Sequence, residues 1–260
     1  MTSSVPASTM LQAVSEVAQL VSRVTMRWYR ADMHVESKLD GSPVTIADRE
    51  GELTARKWIE QHFPTDGIIG EEFGDTRPDA ARRWIIDPID GTKAFIRGVP
   101  LWGSLVAVCE GETVLAGAAC YPAVDELVAA APGEGCWWNG ARASVSNVDR
   151  LDRATLLTTD SRFPGREHRA SAWRELASQA GVSRTWGDCY GYLLVATGRA
   201  EIMVDDIVNP WDAAALQPII EEAGGVFSSW RGVPTAFGGD LIATNAKLAN
   251  AVRSILQETP

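Results

Sequence analysis

At 260 residues the chain is long for one simple core and short for two independent ones, so two intimately packed halves are expected. A composition of 45% hydrophobic and 22% charged residues excludes extensive disorder and suits a soluble globular protein. With 24 Lys and Arg against 34 Asp and Glu the formal net charge is −10, and no basic run interrupts it, which argues against nucleic acid or an anionic membrane as partner.

Residues 1–9 are small and polar and predict a frayed end. Leu11, Val14, Val17, Ala18, Val21, Val24 and Trp28 then recur at helical spacing. A polar loop over 37–43 leads to Thr45, whose pairing with Asp48 has the form of a capping box, and a second helix runs toward Trp58 and Phe63 until Pro64 ends it. Strands are predicted at 68–70, 84–86, 103–109 and 113–121, the last two joined by a tight turn at Glu110-Gly111. The pattern continues over 125–131, and Asn139-Gly140 signals another turn.

The rhythm changes near 148–153, which divides the chain into an α+β half (1–147) and an α/β half (148–260). Strands at 155–159, 201–204 and 241–244 alternate there with helices at 168–179, 190–197, 212–223 and 246–256. Gly198 and Gly224-Gly225 stop two of those helices. Cys109, Cys120, Cys136 and Cys189 show no Cys-x-x-Cys spacing, and neither a signal peptide nor a long apolar segment can be read from the chain, which predicts reduced cysteines and a cytoplasmic location. His34, His62 and His168 are too dispersed for zinc, so a metal here should be hard and held by oxygen.

The carboxylates carry the chemistry. In the run from Trp84 to Thr92 an apolar strand ends on Asp87-Pro88-Ile89-Asp90. Pro88 stops the ladder, so Asp87 and Asp90 can turn toward one point while the Ile89 carbonyl is left without a sheet partner, an arrangement suited to a divalent cation. Gly91 and Thr92 follow where a helix could begin and offer N–H groups to a phosphate. The plainer alternative is an Asp-rich turn. Gly70-Glu71-Glu72 ends a second apolar strand on acid, or is a solvated loop; Asp212 opens an apolar helix, as ligand or as cap. Thr92 paired with Asp48 would orient and deprotonate water, the nucleophile of a phosphomonoesterase, although Asp48 could equally serve only to start its helix.

Together, Gly70-Glu71-Glu72, Asp87-Pro88-Ile89-Asp90-Gly91-Thr92 and Trp211-Asp212-Ala213-Ala214 with Gly224-Gly225 resemble the inositol monophosphatase superfamily, in that order and over nearly the whole chain. The resemblance implies a layered α-β-α-β-α sandwich and lithium-sensitive magnesium catalysis. It implies that Glu71, Asp87 and the Ile89 carbonyl hold a first metal, that Asp87, Asp90 and Asp212 hold a second, and that Thr92 with Asp48 activates water, Glu71 counting among the catalytic groups. Mn²⁺ should substitute for Mg²⁺, Ca²⁺ should inhibit, and the resemblance implies a homodimer.

The runs from Asp90 to Ile96, from Trp102 to Ala107 and from Asp188 to Tyr192 look like the histidinol-phosphatase branch. Trp186, Gly187, Asp188 and Asp205 align with the family's substrate pocket, where an indole face and carboxylates could hold imidazole and ammonium. The alternative there is a core tryptophan and a solvated Asp205-Asp206 turn. The metal motifs also fit a phosphatase for inositol 1-phosphate, a nucleotide 3′-phosphate or fructose 1,6-bisphosphate. A metal-binding regulatory protein without turnover is the alternative outside enzymes.

Overall fold

The first apolar period forms helix α1 (Ala7–Met26), whose start lies inside the stretch expected to fray. Pro6 stands at the N-cap, where its carbonyl accepts from the Thr9 and Met10 N–H groups. The computed structural model describes residues 5–39 and 41–256. A ribbon of β1 (Val35–Ser37) and β2 (Pro43–Thr45) flanks the expected polar loop. Helix α2 (Ile46–His62) begins at the predicted capping box, with the Thr45 N–H donating to Asp48 at 2.7 Å.

Next come β3 (Gly67–Gly70), β4 (Gly74–Thr76), β5 (Arg82–Asp90) and the short helix α3 (Thr92–Phe95). They are followed by β6 (Gly103–Glu110), β7 (Thr113–Tyr121), β8 (Glu126–Ala131), β9 (Gly135–Trp138) and β10 (Ala141–Arg142). Strands β3 to β10 form one sheet in the order β10-β9-β8-β7-β6-β5-β3-β4, antiparallel except for the pair β3 and β5.

The chain continues through β11 (Thr155–Leu157), α4 (Glu167–Gln179), β12 (Val182–Arg184), α5 (Cys189–Ala196), β13 (Ile202–Asp205) and α6 (Pro210–Ala213). It ends with α7 (Leu216–Glu222), β14 (Gly225–Ser228), β15 (Leu241–Asn245) and α8 (Ala249–Leu256). The second sheet has the order β12-β11-β13-β15-β14.

Strand alternation builds the layers. In β5 and β6, Trp84, Ile86, Val106 and Val108 face a core shared with Val14, Val17 and Val21 of α1. Ile85, Leu105 and Ala107 face the opposite core, shared with Leu193 of α5, Ile219 of α7 and Met203 of β13. Leu156, Ile202 and Ile242 pack outward on Trp173 of α4 and Val252 of α8. The order is therefore α1 and α2, large sheet, α5 and α7, small sheet, α4 and α8, the expected five-layer sandwich.

Pro88 interrupts β5 without ending it. With no N–H at Pro88 the ladder opens and its register shifts between Asp87 and Asp90, after which Asp90 pairs again with Gly103. The helix expected over 212–223 is two pieces, α6 and α7, because Pro218 cannot donate to the Ala214 carbonyl four residues back. The last helix starts at Ala249, after a turn in which Leu248 N–H donates to Asn245 Oδ1 at 2.9 Å. Strands β1, β2, β4, β12 and β14 are three or four residues long and take their identity from their partners.

Candidate active site

The two acidic strand ends meet because β3 and β5 are parallel neighbours: Gly70 pairs with Ile86, so Glu71 leaves the sheet beside Asp87. Glu71 N–H makes a last ladder bond to the Ile86 carbonyl at 3.3 Å. From the other half of the chain, α6 packs on β5 and delivers Asp212. Carboxylate oxygens of Asp87, Asp90 and Asp212 lie within 4.8 Å of one another.

Each is oriented by a local bond. Asp87 Oδ1 accepts the Ile89 N–H at 2.9 Å, while the Pro88 carbonyl accepts from Ser104 Oγ at 2.7 Å. The opened ladder leaves the Ile89 carbonyl to the Thr92 hydroxyl, 3.0 Å away. Asp90 Oδ2 accepts the Cys189 N–H at the head of α5. Asp212 Oδ2 accepts the Asn209 N–H at 2.7 Å in a capping box, so one residue both caps α6 and belongs to the acidic cluster.

Burial, reinforced by the charges of Glu71, Asp90 and Asp212, pushes the Asp87 carboxyl well above the usual range. Burial and the charges of Asp188 and Asp212 do the same to Asp90, and burial raises Asp212 to about 6. Among the described residues no Lys or Arg side chain pairs with Asp87, Asp90 or Asp212. One buried and two half-buried carboxylates that repel one another and pair with no cation of the described residues suit a hard divalent metal.

Glu71 stands next to this group, its Oε1 accepting from Lys38 Nζ at 2.7 Å; Lys38 also reaches Glu72 at 2.7 Å. Burial opposes the Lys38 charge, but the bonds to Glu71 and Glu72 outweigh it and pull its pKa up. Asp48 lies at the start of α2 with Oδ2 accepting from the Thr45 hydroxyl at 2.6 Å, while its buried Oδ1 has no partner. Burial raises its pKa to about 6. Gly91, in the left-handed region at φ 89°, makes the turn into α3, and a side chain there would meet the Leu101 carbonyl at 2.9 Å.

A cavity of about 90 Å³ opens beside Asp90 and Asp212, lined also by Asp188, Asp205, Thr159, Tyr192 and Ile207. Asp205 is already engaged, accepting from Thr159 N–H at 2.8 Å and Tyr192 O–H at 2.8 Å. Among the described residues none makes such a bond to the Asp188 carboxylate; the Asp188 backbone, at φ 49° and ψ −156°, is in a region that non-glycine residues rarely adopt. Burial, with Asp205 nearby, lifts Asp188 to about 6. Burial also raises Asp205.

Trp186 does not line this cavity and its side chain is exposed, at 43%. Gly187 runs against Thr159, so close that a Cβ would lie 2.4 Å from the Thr159 Cα. Thr159, Tyr192, Cys189 and Lys38 were not anticipated. Their roles depend on contacts across 13 to 99 residues, and only Cys189 and Tyr192, in the same run as Asp188, have a signal in the sequence.

Residues 7–259 match the profile of the Inositol monophosphatase family, and the chain belongs to that family. Membership places it among the metal-dependent phosphoric monoester hydrolases. It is 41% identical over 251 residues to a histidinol-phosphatase of Chlorobaculum parvum, a match covering 94% of this chain and 96% of that one. A histidinol-phosphatase of Mycobacterium tuberculosis is 38% identical, covering 92% of this chain and 94% of its own. The fold matches an inositol monophosphatase from Zymomonas mobilis with TM-score 0.87 at 30% identity, over 97% of this chain and 99% of the other.

Proposed function

We propose that this chain hydrolyses L-histidinol phosphate to L-histidinol and inorganic phosphate, with Mg²⁺ held by Glu71, Asp87, the Ile89 carbonyl, Asp90 and Asp212. The observation that carries the substrate is Asp188: a half-buried carboxylate with no hydrogen-bonding partner among the described residues, in a cavity that adjoins Asp90 and Asp212. A phosphomonoester with a protonated amine satisfies that group, whereas inositol phosphate or a sugar bisphosphate brings no cation to it. The high identity to two proteins named histidinol-phosphatase supports the same choice.

When bound, the divalent cations supply a Lewis acid and a water of lowered pKa. The chain's own groups do the rest. First-turn N–H groups of α3, at Gly91 and Thr92, have no intrahelical acceptors and bind phosphate oxygens. The Thr92 hydroxyl orients the attacking water and passes its proton toward Asp48, whose Oδ1 is buried and lacks a donor. Packing supports this pairing, since Ala47, next to Asp48, shares a small core with Ile89 and Phe95. Asp188 binds the amine, and Asp205, held by Thr159 and Tyr192, supports its charge from behind.

No helix of the described residues is long and apolar enough to cross a membrane. The proposal places the enzyme in the cytoplasm as a homodimer, which sedimentation of the purified protein tests. For the substrate, phosphate release from histidinol phosphate, inositol 1-phosphate, adenosine 3′,5′-bisphosphate and fructose 1,6-bisphosphate is compared at equal concentration. The highest kcat/KM is expected for histidinol phosphate; a higher value for any other substrate overturns the assignment.

A further inference from the structure

Glu71 and Glu72 are adjacent in sequence, so which carboxylate faces the metals depends on the turn that carries them. That turn is held from helix α2. Glu52 is fully buried; its Oε2 accepts the Glu72 N–H at 2.7 Å and its Oε1 accepts the Phe73 N–H at 3.2 Å. Arg56, one helical turn further, donates Nε to Glu52 Oε1 at 2.7 Å. Its remaining guanidinium nitrogens reach the Thr76 hydroxyl at 2.7 Å and the Gly74 carbonyl, so β4, the strand that leaves the turn, is tied to the pair.

The approach is too close for a side chain at Gly70, where a Cβ would fall 2.0 Å from Glu52 Oε1. Glu71 is thereby fixed on both sides: its own N–H bonds the Ile86 carbonyl, and the next N–H bonds Glu52. A buried ion pair is poor evidence of a stability role, since apolar residues of similar volume often stabilise as much. Its use here is positional. Asp48, Glu52 and Arg56 follow one another at successive turns along one face of α2, so the same helix registers Asp48 and the Glu71 turn against β5.

We infer that Glu52, braced by Arg56, is a positioning residue that sets the Glu71 carboxylate for metal binding. The inference rests on the proposed metal site. Its test is calorimetric titration of the metal-free full-length protein with Mg²⁺ alone, together with the Mg²⁺-induced rise in Tm, for wild type, Glu52→Gln, Glu71→Gln and the double variant. Partners that orient a metal ligand are worth about 10- to 100-fold in metal affinity, and Glu52→Gln should weaken Mg²⁺ binding by that much. In the Glu71→Gln background it should weaken binding less than about twofold, because the group it orients is gone.

Wild-type affinity in Glu52→Gln overturns the inference. So does equal weakening in both backgrounds, which would make Glu52 a general support of the fold. If Glu52→Gln does not fold, Arg56→Lys keeps a cation near Glu52 but loses the reach to Gly74 and Thr76. It should weaken Mg²⁺ binding several-fold, with no effect once Glu71 is Gln, and the same two outcomes refute it. A wild-type protein that takes up no Mg²⁺ refutes the metal reading itself, before any variant is compared.

Discussion

Replacing Asp188 by Asn, read on two substrates, separates substrate recognition from the hydrolytic step, because any effect of the lost charge on Asp90 falls on both substrates alike. The two side chains have nearly the same volume and the same branching at Cγ, so the backbone at φ 49° and ψ −156° is no more strained by one than by the other. No hydrogen bond from the described residues is lost from the carboxylate, so the change removes the charge offered to a substrate amine. A charge-assisted hydrogen bond contributes about 1.5–3 kcal/mol. At about 1.4 kcal/mol per tenfold, kcat/KM for histidinol phosphate should fall roughly 10- to 150-fold. For p-nitrophenyl phosphate, which carries no cation, the change should stay under about threefold. Steady-state kinetics on the two substrates with Mg²⁺ in excess measure both numbers. Equal losses on both substrates would place Asp188 in the hydrolytic machinery, and no loss on either would remove it from the site.

Asp90→Asn and Asp212→Asn alter charge with little change of volume, and each should lose about 10²-fold or more in kcat with a cooperative melt retained; near-normal kcat at saturating Mg²⁺ would clear that residue of metal binding. Thr92→Val should lower kcat by about 10²- to 10⁴-fold, whereas a defect confined to KM would make Thr92 a phosphate contact alone. Chelator should abolish activity, Mn²⁺ should restore it and Ca²⁺ should not, which phosphate-release assays read directly. The raised carboxyl pKa values of Asp87, Asp90 and Asp212 mean that their contribution to stability in the metal-free protein is present at low pH and lost as pH rises through about 6 and above. Mg²⁺ should therefore raise Tm more at about pH 8 than at about pH 5.5, where protons compete for the same oxygens; scanning calorimetry with and without metal would show an equal rise if the cluster were not the binding site.

Local signals in the chain were enough to find the acidic strand ends and the caps. An apolar run that meets Asp87-Pro88, a Thr45-x-x-Asp48 box and Asn209-Pro210 before Asp212 each announce an interruption or a cap within a few residues, because strand period, proline chemistry and capping act over that distance, although β5 resumes at Asp90. Tertiary structure alone decided what those ends face. The parallel pairing of β3 with β5 puts Glu71 beside Asp87, and no feature of residues 67–72 specifies that neighbour. The turn that carries the two adjacent glutamates is held by Glu52, 20 residues before Glu72, and both carboxylates share Lys38, contacts that no local signal announces. Asp188 and Asp205 looked equivalent as acids; burial against Thr159 and Tyr192 satisfies one and leaves the other for a ligand. Trp186, chosen for its indole, lies outside the cavity because Gly187 packs against Thr159 and carries the chain past it. A residue type names the chemistry a side chain can perform, but its partners lie across the fold, and they determine whether that chemistry is still free to act on a substrate.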